Sequence, residues 1–279
     1  MTVSTDTSAD IEIFTDLPND VYHGRKTHYS RSQTHRYRGV EGGRAQRYAE
    51  VEGKSLFAGN SQTSFGSLVD AAFEAEARGV DWRSRCAVPP DNVLAADRSR
   101  RGKAFQEWKA SLPPDAFECS VQDFEKTASI LASLREHKRA NELIEAATHT
   151  QYSVFRTDSN GHKVKSRADF VTPDCWGDLK TTSSEWRDLK WSFRRFGYDW
   201  QAAWYSDAAY ACGWSKFRFP FIVVQTFPPF DVKVLYLTDE AVDRARIEIA
   251  ETLDEIRRRE RSGVYVPESY HDEEVLDLG

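Results

Sequence analysis

Apolar residues Phe65, Leu68, Val69, Ala72 and Phe73 recur at i, i+3, i+4 spacing and predict a helix over about 62–78. Further helical periodicity covers about 95–110, then 121–136 with Phe124, Ile130, Leu131 and Leu134 inward, then 138–147 with Leu143 and Ile144 inward. Near residue 150 the period shortens to two. Segments 151–156, 163–171 and 175–181 read as strands, separated by turns at Asp158-Ser-Asn-Gly161 and Thr172-Pro-Asp174. Helices over about 186–196 and 198–212 follow, then apolar strands over 218–226 and 232–237 joined through Pro228-Pro229. Thr238 caps a last helix over about 239–261. This order predicts an α/β fold: a central mixed sheet of about five strands flanked by helices, preceded by an N-terminal helical region.

Residues 1–26 are rich in Ser, Thr and Asp, and the apolar break Ile11-Glu-Ile-Phe14 is the place for one ordered contact in an otherwise flexible arm. Residues 27–265 read as one domain, helical over 27–148 with the sheet core over 149–265, and 266–279 as an acidic tail. Ser30 or Ser32 is placed to cap a short helix ahead of a basic, Gly-containing segment to Arg47. Gly66 inside the first long helix costs stability relative to Ala, which suggests close approach by another backbone or a ligand.

A net charge of −6 over 279 residues gives no global sign of nucleic-acid binding, so local clusters matter more. Arg98, Arg100, Arg101 and Lys103 fall at a predicted helix start, where they oppose the macrodipole; an anionic partner or a solvated arm accounts for them. Arg187, Lys190, Arg194 and Arg195 lie on the helix after the third strand and can neutralise phosphates. Four cysteines without a CxxC pair argue against a zinc or iron–sulfur site. The absence of an apolar run near 18 residues or a leader pattern gives the expectation of a cytoplasmic protein with no membrane partner.

The chemistry concentrates in 165–205. Asp178 and Lys180 are two apart on a strand and share a face, and Asp169 on the preceding strand can lie beside them. A surface ion pair is the plain explanation of Asp-x-Lys. Two carboxylates and a lysine on one face also suit phosphodiester hydrolysis. There a divalent cation activates water, and cation and lysine offset charge on the phosphate oxygens. Gln201 and Tyr205 share a helix face at i, i+4. Trp200 and Trp204 on that helix read as core. Trp186 and Trp191 also read as core first, with stacking on an unpaired base as the alternative.

Ser166-Arg-Ala-Asp169, Gly177-Asp-Leu-Lys-Thr-Thr182 and Phe196-Gly-Tyr-Asp-Trp-Gln-Ala-Ala-Trp-Tyr205 resemble the core motifs of PD-(D/E)xK nucleases, most of all the RecE (exonuclease VIII) type. Tyr29-Ser-Arg-Ser-Gln33 is similar to that group's N-terminal serine motif, and Phe65-Gly-Ser-Leu-Val-Asp70 to its first motif helix; the resemblance spans about 22–265. It implies a restriction-endonuclease-like core. In that core Asp70, Asp169, Asp178 and the Leu179 carbonyl would hold metal, and Asp169, Asp178 and Lys180 would form the catalytic set. Gln201 and Tyr205 would bind substrate, joined by Arg187, Lys190, Arg194 and Arg195. Two positions depart from the pattern: Asp70 replaces the usual His, and Gln151 stands where many relatives carry Glu.

The implied activity is a Mg²⁺-dependent exodeoxyribonuclease, with Mn²⁺ as the alternative ion, acting on linear duplex DNA ends in recombination or repair. The resemblance also brings a homo-oligomeric ring and a single-strand annealing protein as partners. The alternatives are an endonuclease of the same superfamily and a non-catalytic DNA- or protein-binding module.

Overall fold

The computed structural model describes residues 11–38, 61–113, 116–215 and 217–265. The basic segment to Arg47 beyond Arg38, Pro114 and the acidic tail lie outside them. Four long strands carry the sheet: β5 (His149–Thr157), β6 (Lys163–Val171), β7 (Trp176–Thr182) and β8 (Phe221–Gln225), with β9 (Val232–Leu235) at one edge. They follow the order β5-β6-β7-β8-β9; β7 and β8 run parallel and the other neighbours antiparallel.

Two N-terminal strands enlarge the expected five-stranded sheet to seven. β1 (Glu12–Phe14) adds to β5 at the apolar break noted above, and β2 (Tyr29–Ser30) pairs parallel with β6. Such short strands carry too little periodicity to be read before their partner is known. Helix α1 (Asn19–Gly24) lies between them, and α2 (Arg31–Arg36) follows β2 directly. Ser30 caps α2 in a capping box with Gln33, each side chain meeting the other's backbone N–H. A separate two-stranded sheet joins β3 (Cys86–Ala87) to β4 (Phe117–Glu118).

Alternation along β8 divides the interior. Ile222 and Val224 pack under α3 (Ser61–Ala77), α5 (Val121–Glu136) and α6 (Lys138–Glu145) with Phe73, Leu131 and Leu143. Phe221 and Val223 face the other side, against α7 (Leu189–Arg195) and α8 (Tyr198–Ala211). Outside α8 lies α9 (Asp239–Ser262), where Ala245, Ile249 and Leu253 meet Trp200, Ala203 and Trp204.

The helix expected over 95–110 forms only as α4 (Lys103–Ala110), because Gly102 before it takes a φ of 95°. Arg98, Arg100 and Arg101 therefore precede the helix, and Lys103 alone sits in its first turn, with Glu107 at 3.6 Å. Arg98 pairs with Asp91, Arg100 with Glu118 and Arg101 with Asp97, so this chain's own acids answer them. Of the two neighbours expected at Gly66, another backbone or a ligand, the described residues bring no backbone: a Cβ there would lie 3.4 Å from the side-chain Oγ1 of Thr181 on β7. Among the described residues no helix is long and apolar enough to cross a membrane.

Candidate active site

β6 changes partners along its length. Its start pairs with β2 at Tyr29↔Val164 and Ser30↔Lys165, and its end with β7 at Phe170↔Gly177 and Val171↔Trp176. Beyond Gly177 the two strands diverge, and the first residues past the fork are Asp169 and Asp178. The ladder to β5 is also interrupted there. It runs Thr150↔Phe170, then Tyr152↔Ala168, and skips Gln151 opposite Asp169. Gln151 has a φ of 51°, the left-handed region that a residue with a Cβ seldom enters.

Gly177 makes the fork tight. A Cβ at that position would overlap the ring of Phe170, its cross-strand partner, and Phe170 in turn packs on Phe73 of α3 at 5.9 Å. With Asp169 released from both ladders, its Oδ2 accepts a hydrogen bond from Leu179 N–H at 2.9 Å across the gap. On the other side β7 stays in register with β8, Asp178↔Phe221 through Lys180↔Val223. Asp178 and Lys180 thus share the face that Trp176 turns toward α7 and α8, and Leu179 points toward α3.

Helix α8 covers the fork. Gln201 is 2% exposed and donates its side-chain amide to Asp178 Oδ1. Trp204 Nε1 donates to Lys165 O at 3.0 Å. Gly197 starts the helix at a φ of 65°, and a Cβ there would overlap the His35 ring of α2. Arg31 reaches over from α2: Nη1 donates to Phe196 O at 2.9 Å and Nη2 to Gln201 Oε1 at 3.2 Å. An Arg–Gln–Asp chain therefore supports the β7 carboxylate. Arg31 stands inside the serine motif, yet spacing alone gave no reason to bring it to the site.

Lys180 forms an ion pair with Asp178 Oδ2 and lies 5.2 Å from the ring centroid of Tyr198. Burial works against the charge of Lys180, but Asp178, Tyr198 and Asp169 outweigh it and hold the pKa above its ordinary value. This arrangement favours the charged form of Lys180. Burial is the chief cause of a raised pKa at Asp169, with Asp178 and Asp70 adding to it and Lys180 and the Leu179 N–H opposing. Asp70 is pushed up to about 7 by burial; Lys180 opposes the rise, and Asp178 and Glu74 reinforce it. One lysine, already paired with Asp178, does not offset three ionised carboxylates, so Asp70 and Asp169 hold their protons more firmly than free carboxyls do.

The donor chemistry fits a hard divalent cation. Asp178 Oδ2 is buried and, apart from the Lys180 ion pair, accepts no hydrogen bond. A second positive charge would let Asp70 and Asp169 ionise beside it. Among the described residues, however, no three His, Cys, Asp or Glu side chains converge as a ready coordination shell.

Tyr205 lies half-buried one turn beyond Gln201 and packs on Phe219 at 5.3 Å. Gln201 itself lies beneath Asp178, inside the protein rather than on an open surface. The expected helix over 186–196 begins as a 3-10 turn, Trp186–Asp188, before α7. Arg187 pairs with Glu185 and Asp188, and Arg194 approaches Glu248 at 4.0 Å. Lys190 and Arg195 are exposed, with no carboxylate within 4 Å among the described residues. Trp200 and Trp204 are core residues; Trp186 is half-buried under Lys233 at 4.6 Å. Trp191 is 77% exposed, which overturns its reading as core.

No curated protein matches the chain. Its fold is similar to the crystal structure of a "Putative exonuclease" from Eubacterium rectale, with a TM-score of 0.59 over 95% of this chain and 96% of that one. The two sequences are 14% identical, so the likeness concerns the fold alone. Residues 32–265 match the family described as a PDDEXK-like domain of unknown function (DUF3799). That span contains the fork, its covering helix and most of the sheet, and the chain belongs to this family of PDDEXK-like domains.

Proposed function

We propose that the protein is a divalent-metal-dependent deoxyribonuclease that hydrolyses DNA from duplex ends. The observation that carries this reading is the fork. Asp169 leaves both of its ladders there, Asp178 loses its β6 partner while β8 keeps it in register, and Lys180 is held on the same face as Asp178. Membership of the PDDEXK-like family supports a nuclease reading. The RecE-like motifs, and the name borne by the Eubacterium rectale structure, favour an exonuclease.

Asp70, Asp169, Asp178 and the Leu179 carbonyl are the groups that would hold Mg²⁺ or Mn²⁺. Bound there, the ion supplies a more acidic water and charge for the phosphate oxygens. Lys180, kept protonated, contributes a positive charge toward a scissile phosphate. Gln201 and Arg31 hold the Asp178 carboxylate in one orientation. Lys190 and Arg195 offer cations to flanking phosphates with no reading of sequence. A ring of copies and a single-strand annealing partner extend the same reading.

Purified protein with Mg²⁺ should release nucleotides from linear duplex and leave closed circular duplex intact. Asp178→Asn and Lys180→Ala should each slow release by about a hundredfold or more. Cutting of the circle would replace the exonuclease by an endonuclease. The non-catalytic alternative draws on the departures at Asp70 and Gln151 and on the lack, among the described residues, of a ready three-ligand shell. Absence of both hydrolysis and calorimetric Mg²⁺ or Mn²⁺ binding would favour it.

A further inference from the structure

Building on the nuclease reading, we propose that Trp191 and Phe196 form a stacking platform for the bases of an unpaired DNA strand beside the fork. Trp191 is the most exposed large apolar side chain among the described residues, at 77%, and Phe196 is 51% exposed. Leu189 and Phe193 are the buried positions of α7. At 3.6 residues per turn, Trp191 lies on the opposite face of the helix from both. Its exposure is thus built into the helix's register rather than left by a loose loop.

That helix is fixed to the site. Ser184 and Ser192 share a hydrogen bond of 2.9 Å between their hydroxyls, which ties α7 to the end of β7. The Phe193 ring lies 4.9 Å from that of Tyr198 and 5.2 Å from that of Phe221, the register partner of Asp178. Phe196 stands 5.9 Å from Tyr198, whose ring centroid is 5.2 Å from Lys180 Nζ. Exposed aromatic surface therefore begins one ring away from the lysine.

Charge selects the occupant. Lys190 and Arg195 flank Trp191 with no carboxylate within reach among the described residues, and the Arg195 guanidinium is 5.8 Å from the Phe196 ring centroid. An apolar protein surface would satisfy the indole but leave these cations unanswered. A single strand satisfies both, because its bases stack on aromatic rings while its phosphates meet the cations.

The test is fluorescence anisotropy in EDTA on the full chain, with two labelled duplexes that differ only in a short unpaired tail. Wild type should bind the tailed DNA more tightly than the blunt one. Trp191→Ala should weaken tailed binding by about fivefold to a hundredfold and leave blunt binding unchanged, while Trp191→Phe retains most of the affinity. Trp191 makes no core contact, so the substitution leaves folding intact, as circular dichroism checks. Equal tailed and blunt affinity in wild type, or an Ala variant that binds tailed DNA like wild type, overturns the platform; the latter result leaves this face to a protein partner. Should wild type hydrolyse linear duplex while either result holds, the platform alone falls. Neither hydrolysis nor binding of any DNA removes the nuclease reading and the platform together.

Discussion

Gln201 donates its side-chain amide to the Asp178 carboxylate from inside the protein, and Arg31 fixes which way that amide faces. Because the guanidinium can only donate, Gln201 must turn its oxygen to Arg31 and its NH₂ to Asp178. Gln201→Ala leaves Asp178 Oδ1 without its donor. It should cost about 1–3 kcal/mol of stability in urea unfolding and about 10–100-fold in hydrolysis rate. Gln201→Glu sets a second carboxyl against Asp178 and should be worse on both measurements. Equal behaviour of wild type and Gln201→Glu would remove the supporting role.

Gly177 lets the β6–β7 pair close just before the fork. Adding one methyl in Gly177→Ala forces the Phe170 ring off Phe73 or the strands apart. The expected loss is about 1–3 kcal/mol in a denaturant titration. Hydrolysis should fall as well, since the adjoining Asp178 moves with the strand. A variant as stable and active as wild type would show that the ring relaxes at no cost.

His35 lies edge-on to Trp200 at 5.2 Å and against Gly197. Its burial, reinforced by Arg31 and Arg38 and opposed by Asp199 and Glu248, lowers its pKa from 6.5 to about 4. Between those values the unfolded chain binds a proton that the folded chain does not, so stability rises with pH. Stability should therefore decline as pH falls from 6.5 toward 4. In His35→Gln the urea midpoint should fall less over that range. Parallel slopes in the two proteins would assign the acid limb to other groups.

Salt should separate the four cations near the site. Lys190 and Arg195 have no acidic partner among the described residues, whereas Arg187 and Arg194 do. Lys190→Ala with Arg195→Ala should flatten the plot of log affinity against log salt for duplex DNA by up to about 2 units of slope. Arg187→Ala with Arg194→Ala should change it less. The reverse order would mean that DNA displaces the intramolecular pairs.

The order of elements was legible in the sequence because local periodicity is a short-range property. Phe65, Leu68, Val69 and Phe73 mark one face of a helix wherever that helix goes, β5 and β6 show a period of two, and β8 reads as a short continuous apolar run. Asp178 and Lys180 could be assigned to one face for the same reason. What the sequence withheld depends on partners far along the chain. The short β1 and β2 become strands only beside β5 and β6, and Arg31 matters only once α2 lies across α8. Exposure is likewise a tertiary property. An aromatic-rich helix reads as core, and the packing of Leu189 and Phe193 alone decides that Trp191 faces outward. The sequence by itself named the acids and the lysine. The tertiary structure decided that they meet, because β6 diverges from β7 just past Gly177 and turns Asp169 across the gap to Leu179 N–H, while β8 keeps Asp178 and Lys180 in register beside it.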